Sequence, residues 1–232
     1  MRFGKPQIAL ESCASTQDSA RQFLAQPGAV VTAQSMTAGR GRLGRRWTAP
    51  VGANIAFTAV GEPVAPERLW ELAPLVGLAV AEAVRRFGFD ARIRFPNDIF
   101  LSHRKLGGVL IEAQNNTPLI GVGVNVLPRV WPQELEGIAI ALEAGPSVQV
   151  LQEVIWECLT ERWMGWQQEG LYAALPDWHA LLDPEARRIF VLEGQPTLCK
   201  VALLSASGHV TLELPNGSLC TILASEVIFG ED

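Results

Sequence analysis

The spacing of hydrophobic positions changes several times along the chain, and each change marks an element. Residues 7–10 read as a short strand. A helix is predicted from Ser15 or Thr16: Ser15 and Asp18 stand at capping-box spacing, and Ala20, Phe23 and Leu24 form an apolar stripe before Pro27-Gly28 ends it. Residues 29–34 and 54–60 read as strands, with a long loop over 35–47 between them. Over residues 66–87 the positions Leu69, Leu72, Val76, Val80, Ala83, Val84 and Phe87 keep helical spacing, and Pro74 is expected to kink or split that helix. Short strands follow at 91–95, 99–101, 109–113 and 120–126. The polar turn Ser102-His103-Arg104 joins two of them, so the sheet should be at least partly antiparallel. After a loop over 127–146, Ser147 caps a helix to about Gln168, and a shorter helix covers 175–182.

From Arg187 the texture becomes brief alternating runs broken by Glu193-Gly194, Ser207-Gly208 and Asn216-Gly217, the pattern of a small β-barrel. The reading is an α+β fold: a mixed sheet with helices over residues 1–184 and a β-barrel over 185–232. Hydrophobic residues at 48% and charged residues at 19% describe a globular chain of 232 residues. Apolar runs stop short of the ~20 residues that span a bilayer. The first ten residues show no apolar core of a secretory signal, so a soluble, cytoplasmic protein without a membrane partner is expected. Cys13, Cys158, Cys199 and Cys220 are scattered without metal-binding spacing. A net charge of -5 gives no overall basic field, which speaks against nucleic acid as a partner.

The cations are unevenly used. Four arginines, Arg40, Arg42, Arg45 and Arg46, fall within the segment Gly39-Arg40-Gly41-Arg42-Leu43-Gly44-Arg45-Arg46-Trp47. Glycines there can bring bare N–H groups close to an anion, and arginines can add bidentate bonds to phosphate or carboxylate. The segment is neither a Walker A loop nor a dinucleotide fingerprint, and a solvated surface loop would show the same charges. A second segment, Arg94-Phe95-Pro96-Asn97-Asp98-Ile99, is followed by Arg104-Lys105-Leu106-Gly107-Gly108-Val109. A plain hairpin explains its turn residues. Read functionally, Asp98 is a candidate magnesium ligand near a nucleotide, Lys105 a point charge for a carboxylate or phosphate, and Gly107-Gly108 room for a ligand. In a third, Gly121-Val122-Gly123-Val124-Asn125-Val126, the glycines weaken a strand unless something approaches closely. Asn125 there is either a satisfied strand-end asparagine or a polar contact. No nucleophile–base arrangement stands out, and His103, His179 and His209 lack metal spacing.

Together these segments resemble the biotin protein ligases, in order and over nearly the whole chain. The resemblance implies a catalytic domain related to class II aminoacyl-tRNA synthetases, followed by an SH3-like barrel. It also implies two half-reactions: biotin and Mg-ATP give biotinyl-5′-AMP, and a lysine of a biotin carboxyl-carrier protein, as in acetyl-CoA carboxylase, then takes the biotin. Carried over by position, Lys105 and Arg42 would be catalytic. Ser15, Thr16 and Gln17 would hold the ureido ring, and Arg40, Gly41, Arg42 and Arg45 would close over biotin and phosphate beside Trp47. Gly108 would admit the ligand, while Asn97, Asp98 and Asn125 would line the nucleotide side. Three positions depart from the family: Met36 replaces a glutamine that bonds biotin, Gln17 an asparagine, and Arg94-Phe95 a Lys-Trp pair. Only fourteen residues precede Ser15, so a ligase without the DNA-binding domain of some relatives is expected. Rival readings are a lipoate or octanoate ligase of the same superfamily and a non-enzymatic biotin or acyl-adenylate binding module. Oligomeric state stays open, with a homodimer one candidate.

Overall fold

The computed structural model describes residues 1–48 and 51–229. Seven strands form a mixed sheet: β1 (Gln7–Cys13), β2 (Val30–Met36), β3 (Asn54–Val60), β4 (Arg92–Arg94), β5 (Asp98–Leu101), β6 (Arg104–Gln114) and β7 (Thr117–Asn125). Their order is β1-β2-β3-β7-β6-β5-β4. Only β1 and β2 run parallel, so the expected antiparallel character covers every other pair. The β5–β6 and β6–β7 connections are two-residue turns. Ser102 and His103 in one, and Asn115 and Asn116 in the other, all have positive φ, the geometry that matches strand twist.

Alternation along the strands sends side chains to two separate cores. Val30, Ala59, Ile120, Val122 and Val124 share one buried cluster with residues of α2 (Leu72–Arg85) and α3 (Val148–Glu169). Val31, Val60 and Leu119, each one residue out of phase, pack on the other face with Ala20 of α1 (Thr16–Ala20). α2 is apolar almost all round because the sheet and α3 both cover it, the composition of a helix with no solvent face. Trp163 and Trp156 of α3 meet Phe3 and Phe57 edge-on, with ring centroids 5.5 and 6.0 Å apart.

The structure corrects two helix readings. The stretch over 66–87 is a 3₁₀ turn (Pro66–Glu71) followed by α2, so the split falls before Pro74. Pro74 then sits in the first turn of α2, where a missing N–H costs no internal bond. α1 is shorter than its apolar stripe suggests, and Ser15 at its start makes no side-chain capping bond, so the capping box does not form. By contrast, Ser147 does cap α3, its hydroxyl accepting from Val150 N–H at 3.3 Å.

After α4 (Leu175–Leu181), β8 (Arg187–Leu192), β9 (Gln195–Leu204), β10 (His209–Glu213) and β11 (Leu219–Leu223) form a second, antiparallel sheet in the order β11-β10-β9-β8. The chain returns to its open edge, where Phe229 bridges Phe190 and Val191 N–H bonds Ile228 O at 2.9 Å, curling the sheet towards a barrel. The last three positions of the expected barrel, 230–232, lie outside the described residues. No helix among the described residues is long and apolar enough to cross a membrane.

Replacing Ser147 with Ala should cost about 1 kcal/mol by orphaning the first-turn N–H of α3. Calorimetric melting should fall by about 2–4 °C, and Ser147→Asp should keep the wild-type value.

Candidate active site

Strand register lays a row of small side chains across the sheet. Ala56, Gly123, Gly108 and Asp98 are successive partners on β3, β7, β6 and β5. Thr58, Gly121 and Leu110 form the neighbouring row on one side, and Asn54 and Asn125 the row on the other. A cleft of about 280 Å³ opens over them, lined by every residue to which the resemblance gives a role. The glycines in β7 are there for close approach. A Cβ on Gly123 would stand 2.5 Å from the Trp47 ring, and one on Gly121 would stand 2.8 Å from Gln17 Nε2. The Gly107-Gly108 pair divides: a Cβ on Gly107 would strike Gly123 O at 2.6 Å, a strand–strand contact, whereas Gly108 keeps space clear beside Asp98 and Lys105.

Ser15, Thr16 and Gln17 are buried because the short helix α1 turns them into the cleft. The Thr16 hydroxyl accepts from Thr58 at 2.9 Å and donates weakly to Met36 Sδ at 3.9 Å. Gln17 Nε2 donates to Leu110 O at 3.1 Å and Leu119 O at 3.4 Å, which fixes the amide's orientation. Its carbonyl Oε1 is buried without a partner. An orphaned buried acceptor is costly unless a ligand donor meets it.

The arginine-rich loop closes on itself: Gly41 N–H bonds Arg45 O at 2.7 Å and Trp47 N–H bonds Gly39 O at 2.9 Å. Arg40 lines the cleft, and its guanidinium also binds the neighbouring helix. It forks onto Asp18 of α1 at 2.7 and 2.8 Å, with Glu112 at 3.6 Å, and so ties the loop to the helix. This pairing holds the Asp18 carboxyl below its ordinary range. Arg42 does reach inward, donating to Asn97 Oδ1 at 3.0 Å. Burial, and then the charge of Arg188, push the Arg42 guanidinium below its ordinary value.

Lys105 Nζ pairs with Asp98 Oδ1 at 2.7 Å. The other carboxylate oxygen faces Arg188 of β8 at 3.4 Å, and Arg188 also donates to Phe95 O at 3.1 Å. Asn97 is held by its amide to Val109 O at 2.9 Å. Sequence reading missed several contributors to the cleft, among them Arg129, Trp131, Arg188 and Phe229. Phe229 lies 4.9 Å from the guanidinium carbons of both Arg42 and Arg188. Arg129 follows the Gly-Val-Gly-Val-Asn segment closely enough to have been noticed, but nothing in linear spacing marks the two barrel residues. His179, which lacks metal spacing in the sequence, is half-buried and accepts from Leu204 N–H at 3.1 Å, and burial pushes it down. No group of three His, Cys, Asp or Glu side chains among the described residues could hold a metal ion.

The Trp47–Gly123 contact makes its own test. Gly123→Ala should expel the indole and loosen the loop, so trypsin should cut at Arg40, Arg42, Arg45 and Arg46 faster than in wild type. Gly77→Ala, where a Cβ meets nothing within 4 Å in α2, should leave the cleavage rate alone and stabilise the helix by ~0.5–1 kcal/mol. An unchanged digestion pattern for Gly123→Ala would show that the indole does not hold the loop.

Residues 10–127 match the biotin/lipoate A/B protein ligase family. The bifunctional ligase/repressor BirA of Escherichia coli is 31% identical over 181 residues, 71% of this chain and 56% of its own length. This chain therefore spans little more than half of that relative. The biotin–[acetyl-CoA-carboxylase] ligase of Paracoccus denitrificans is 30% identical over 229 residues, 86% of this chain and 90% of that one. A solved biotin protein ligase from Aquifex aeolicus, in complex with biotin and ATP, has the same fold: TM-score 0.85 at 24% identity, covering 98% of this chain and 100% of that one. From its matched core and from the length it shares with the Paracoccus enzyme, the chain belongs to the biotin/lipoate A/B protein ligase family.

Proposed function

We propose that the chain is an ATP-dependent ligase that forms biotinyl-5′-AMP and passes biotin to a lysine of a biotin carboxyl-carrier protein, in the cytoplasm. One observation favours biotin over a lipoyl or octanoyl substrate. Gln17 lines the cleft, and its carbonyl Oε1 is buried without a partner, an acceptor that a ligand N–H would satisfy. A ureido ring supplies one, whereas a dithiolane or alkyl chain would leave the carbonyl orphaned.

In this reading Ser15, Thr16, Gln17 and Met36 surround the ureido head, and Trp47 walls the ring above Gly123. The biotin carboxylate reaches Lys105 across the space that Gly108 leaves open. Its oxygen attacks the α-phosphorus of ATP, the bond to the β-phosphate oxygen breaks, and pyrophosphate leaves. Two anions must meet for this, so Lys105 and Arg42, with Arg45 and the Gly41 backbone, offset their repulsion and the charge that develops at phosphorus. In the resting cleft Asp98 keeps Lys105 in position, and the arriving anions take over that charge. The acceptor lysine then attacks the acyl carbon, releasing AMP and a proton. Positioning and electrostatics supply the acceleration, with no enzyme nucleophile.

Magnesium enters as part of the nucleotide substrate. Asp98 is the only carboxylate lining the cleft among the described residues, and two cations already hold it. The residues present do not build a resident magnesium site, in keeping with an ion that keeps its waters and travels on substrate phosphates. Asn97 and Asn125 are assigned to the nucleotide side. Residues 1–184 are taken as the catalytic unit, and 185–232 as a second unit that lends it Arg188 and Phe229.

Lys105→Ala should lower biotin-dependent pyrophosphate–ATP exchange by roughly 10²–10³-fold, the usual cost of losing one charge-stabilising donor. Lys105→Arg should rescue it poorly, because a planar fork does not replace a point charge in a tight glycine-lined site. Exchange run in parallel with lipoate and octanoate should stay at background, and near-native exchange by the alanine variant would remove Lys105 from the mechanism. At the other end of the pocket, Met36→Gln should tighten biotin binding by about 1–2 kcal/mol by offering the ureido group a stronger partner than a thioether. Titration calorimetry on both proteins reads this directly, and equal or weaker binding would mean that the wall is built around methionine.

A further inference from the structure

Asp18 reads as half of a capping box, and the structure gives it a different task. Its neighbours Thr16 and Gln17 are buried and line the cleft, while Asp18 stays exposed. There it joins a ring of four charges. Arg40 forks onto both carboxylate oxygens at 2.7 and 2.8 Å and reaches Glu112 of β6 at 3.6 Å. Arg21 closes the ring, 2.7 Å from Glu112 and 3.6 Å from Asp18, and donates to Gln114 Oε1 at 2.9 Å. Exposed ion pairs usually contribute little, except where an arginine binds a carboxylate through both nitrogens or several charges form a network. This ring does both. It also braces α1, which has five residues and no side-chain cap and is too short to hold its own shape.

The loop that the ring holds is a small hairpin. Arg40 bridges Arg46, Trp47 N–H bonds Gly39 O and Gly41 N–H bonds Arg45 O, with a 3₁₀ turn over Arg42–Gly44 at the tip. Arg40 therefore sits in the stem and Arg42 at the tip. The tip is tied to Asn97, whose backbone carbonyl accepts from Val109 N–H beside Gly108. Anions arriving at Lys105 would claim the Arg42 guanidinium there. The stem is tied at Glu112, four residues along β6 from Gly108 and so about 13 Å away. That tie can persist while the tip changes partners.

We infer that Asp18 is a positioning residue: through Arg40 it holds the stem of the arginine-rich loop, so that the tip stays over the cleft and the acyl-adenylate is retained between the two half-reactions. The inference rests on the ligase reading above. Asp18 acts at a distance from the reacting atoms, with Glu112 and Arg21 in support. Because the ring joins the loop to the helix that carries Thr16 and Gln17, one cluster sets both the closure of the loop and the wall around the ligand's head.

The test uses the full chain. Labelled biotinyl-5′-AMP is formed on the protein from biotin and Mg-ATP, and its release is followed after a chase with unlabelled biotin and ATP. Release should speed up about five- to tenfold in Asp18→Asn, with part of the retention recovered in Asp18→Glu. Raising the salt to about 1 M, where screening sets in at ~3 Å, should speed release from wild type and barely change it in Asp18→Asn. The rate of adenylate formation at saturating biotin and ATP should fall by a smaller factor than release rises. Unchanged release in Asp18→Asn would overturn the inference. So would equal losses in biotin affinity, formation and retention with the salt response intact, the mark of a residue that only keeps α1 folded. Absence of adenylate from wild type would sink the ligase reading instead. Trypsin digestion of the ligand-free chain would then still decide whether Asp18 holds the loop: cutting at Arg42, Arg45 and Arg46 should be faster in Asp18→Asn, and an unchanged rate would refute it.

Discussion

A single buried carboxylate connects the parts of this molecule that matter for chemistry. Asp98 stands at the end of the small-residue row, and its two oxygens face cations from different units, Lys105 on β6 and Arg188 on β8. A carboxylate removed from water needs such partners, and breaking one pair strands the other charge. The same ion cluster therefore positions Lys105 over the glycine row and draws the second sheet against the first. Asn97, the preceding residue, uses its carbonyl oxygen to hold Arg42. Two adjacent residues thus arrange three cations around one small volume.

That volume exists because β7 and β6 forgo side chains where they would normally pack. Glycines usually weaken a strand. Here β7 lies between β3 and β6 with its ladder made on both sides, so backbone pairing holds it without help from side chains on that face. The opposite face carries Ile120, Val122 and Val124 into the main core. Stability is supplied on one face and space on the other, within a single nine-residue strand.

Where a segment serves the core alone, its hydrophobic period reads true. The β3 range and the Ser147 cap of α3 were legible in the sequence for that reason. Where a segment also serves the cleft, the period misleads. β6 reads as 109–113 but starts at Arg104, since Lys105, Gly107 and Gly108 break the strand pattern in favour of the site. Ser15 looks like a cap and is instead turned into the cleft, leaving α1 without its capping bond. The candidate residues were legible because polar and glycine residues in unusual runs demand an explanation. Arg188 and Phe229 were not, because they reach the cleft only through the docking of the second sheet. Arg40 shows the limit of position alone: its place in the loop is visible in the sequence, but the direction of its guanidinium depends on Asp18 and Glu112, distant in the chain.

The resting electrostatics of the cleft also account for how an acidic protein can gather anions. Lys105, Arg42, Arg129 and Arg188 line one cavity with a single carboxylate among them, while the chain as a whole carries a net charge of -5. The outer charge gives polyanionic tracks little attraction. Inside, fixed dipoles hold each cation: Asn97 for Arg42, and Asn54 with Asn125 for Arg129. Amides orient a guanidinium without neutralising it, so its charge stays available to whatever enters. A carboxylate in each of those places would have made a stabler empty cleft and a poorer anion site. Asp98 is the exception, and it sits where two cations share it, so the local charge remains positive after the pairing. An incoming carboxylate and phosphate then meet groups already aimed at them, with little reorganisation left for the moment of reaction.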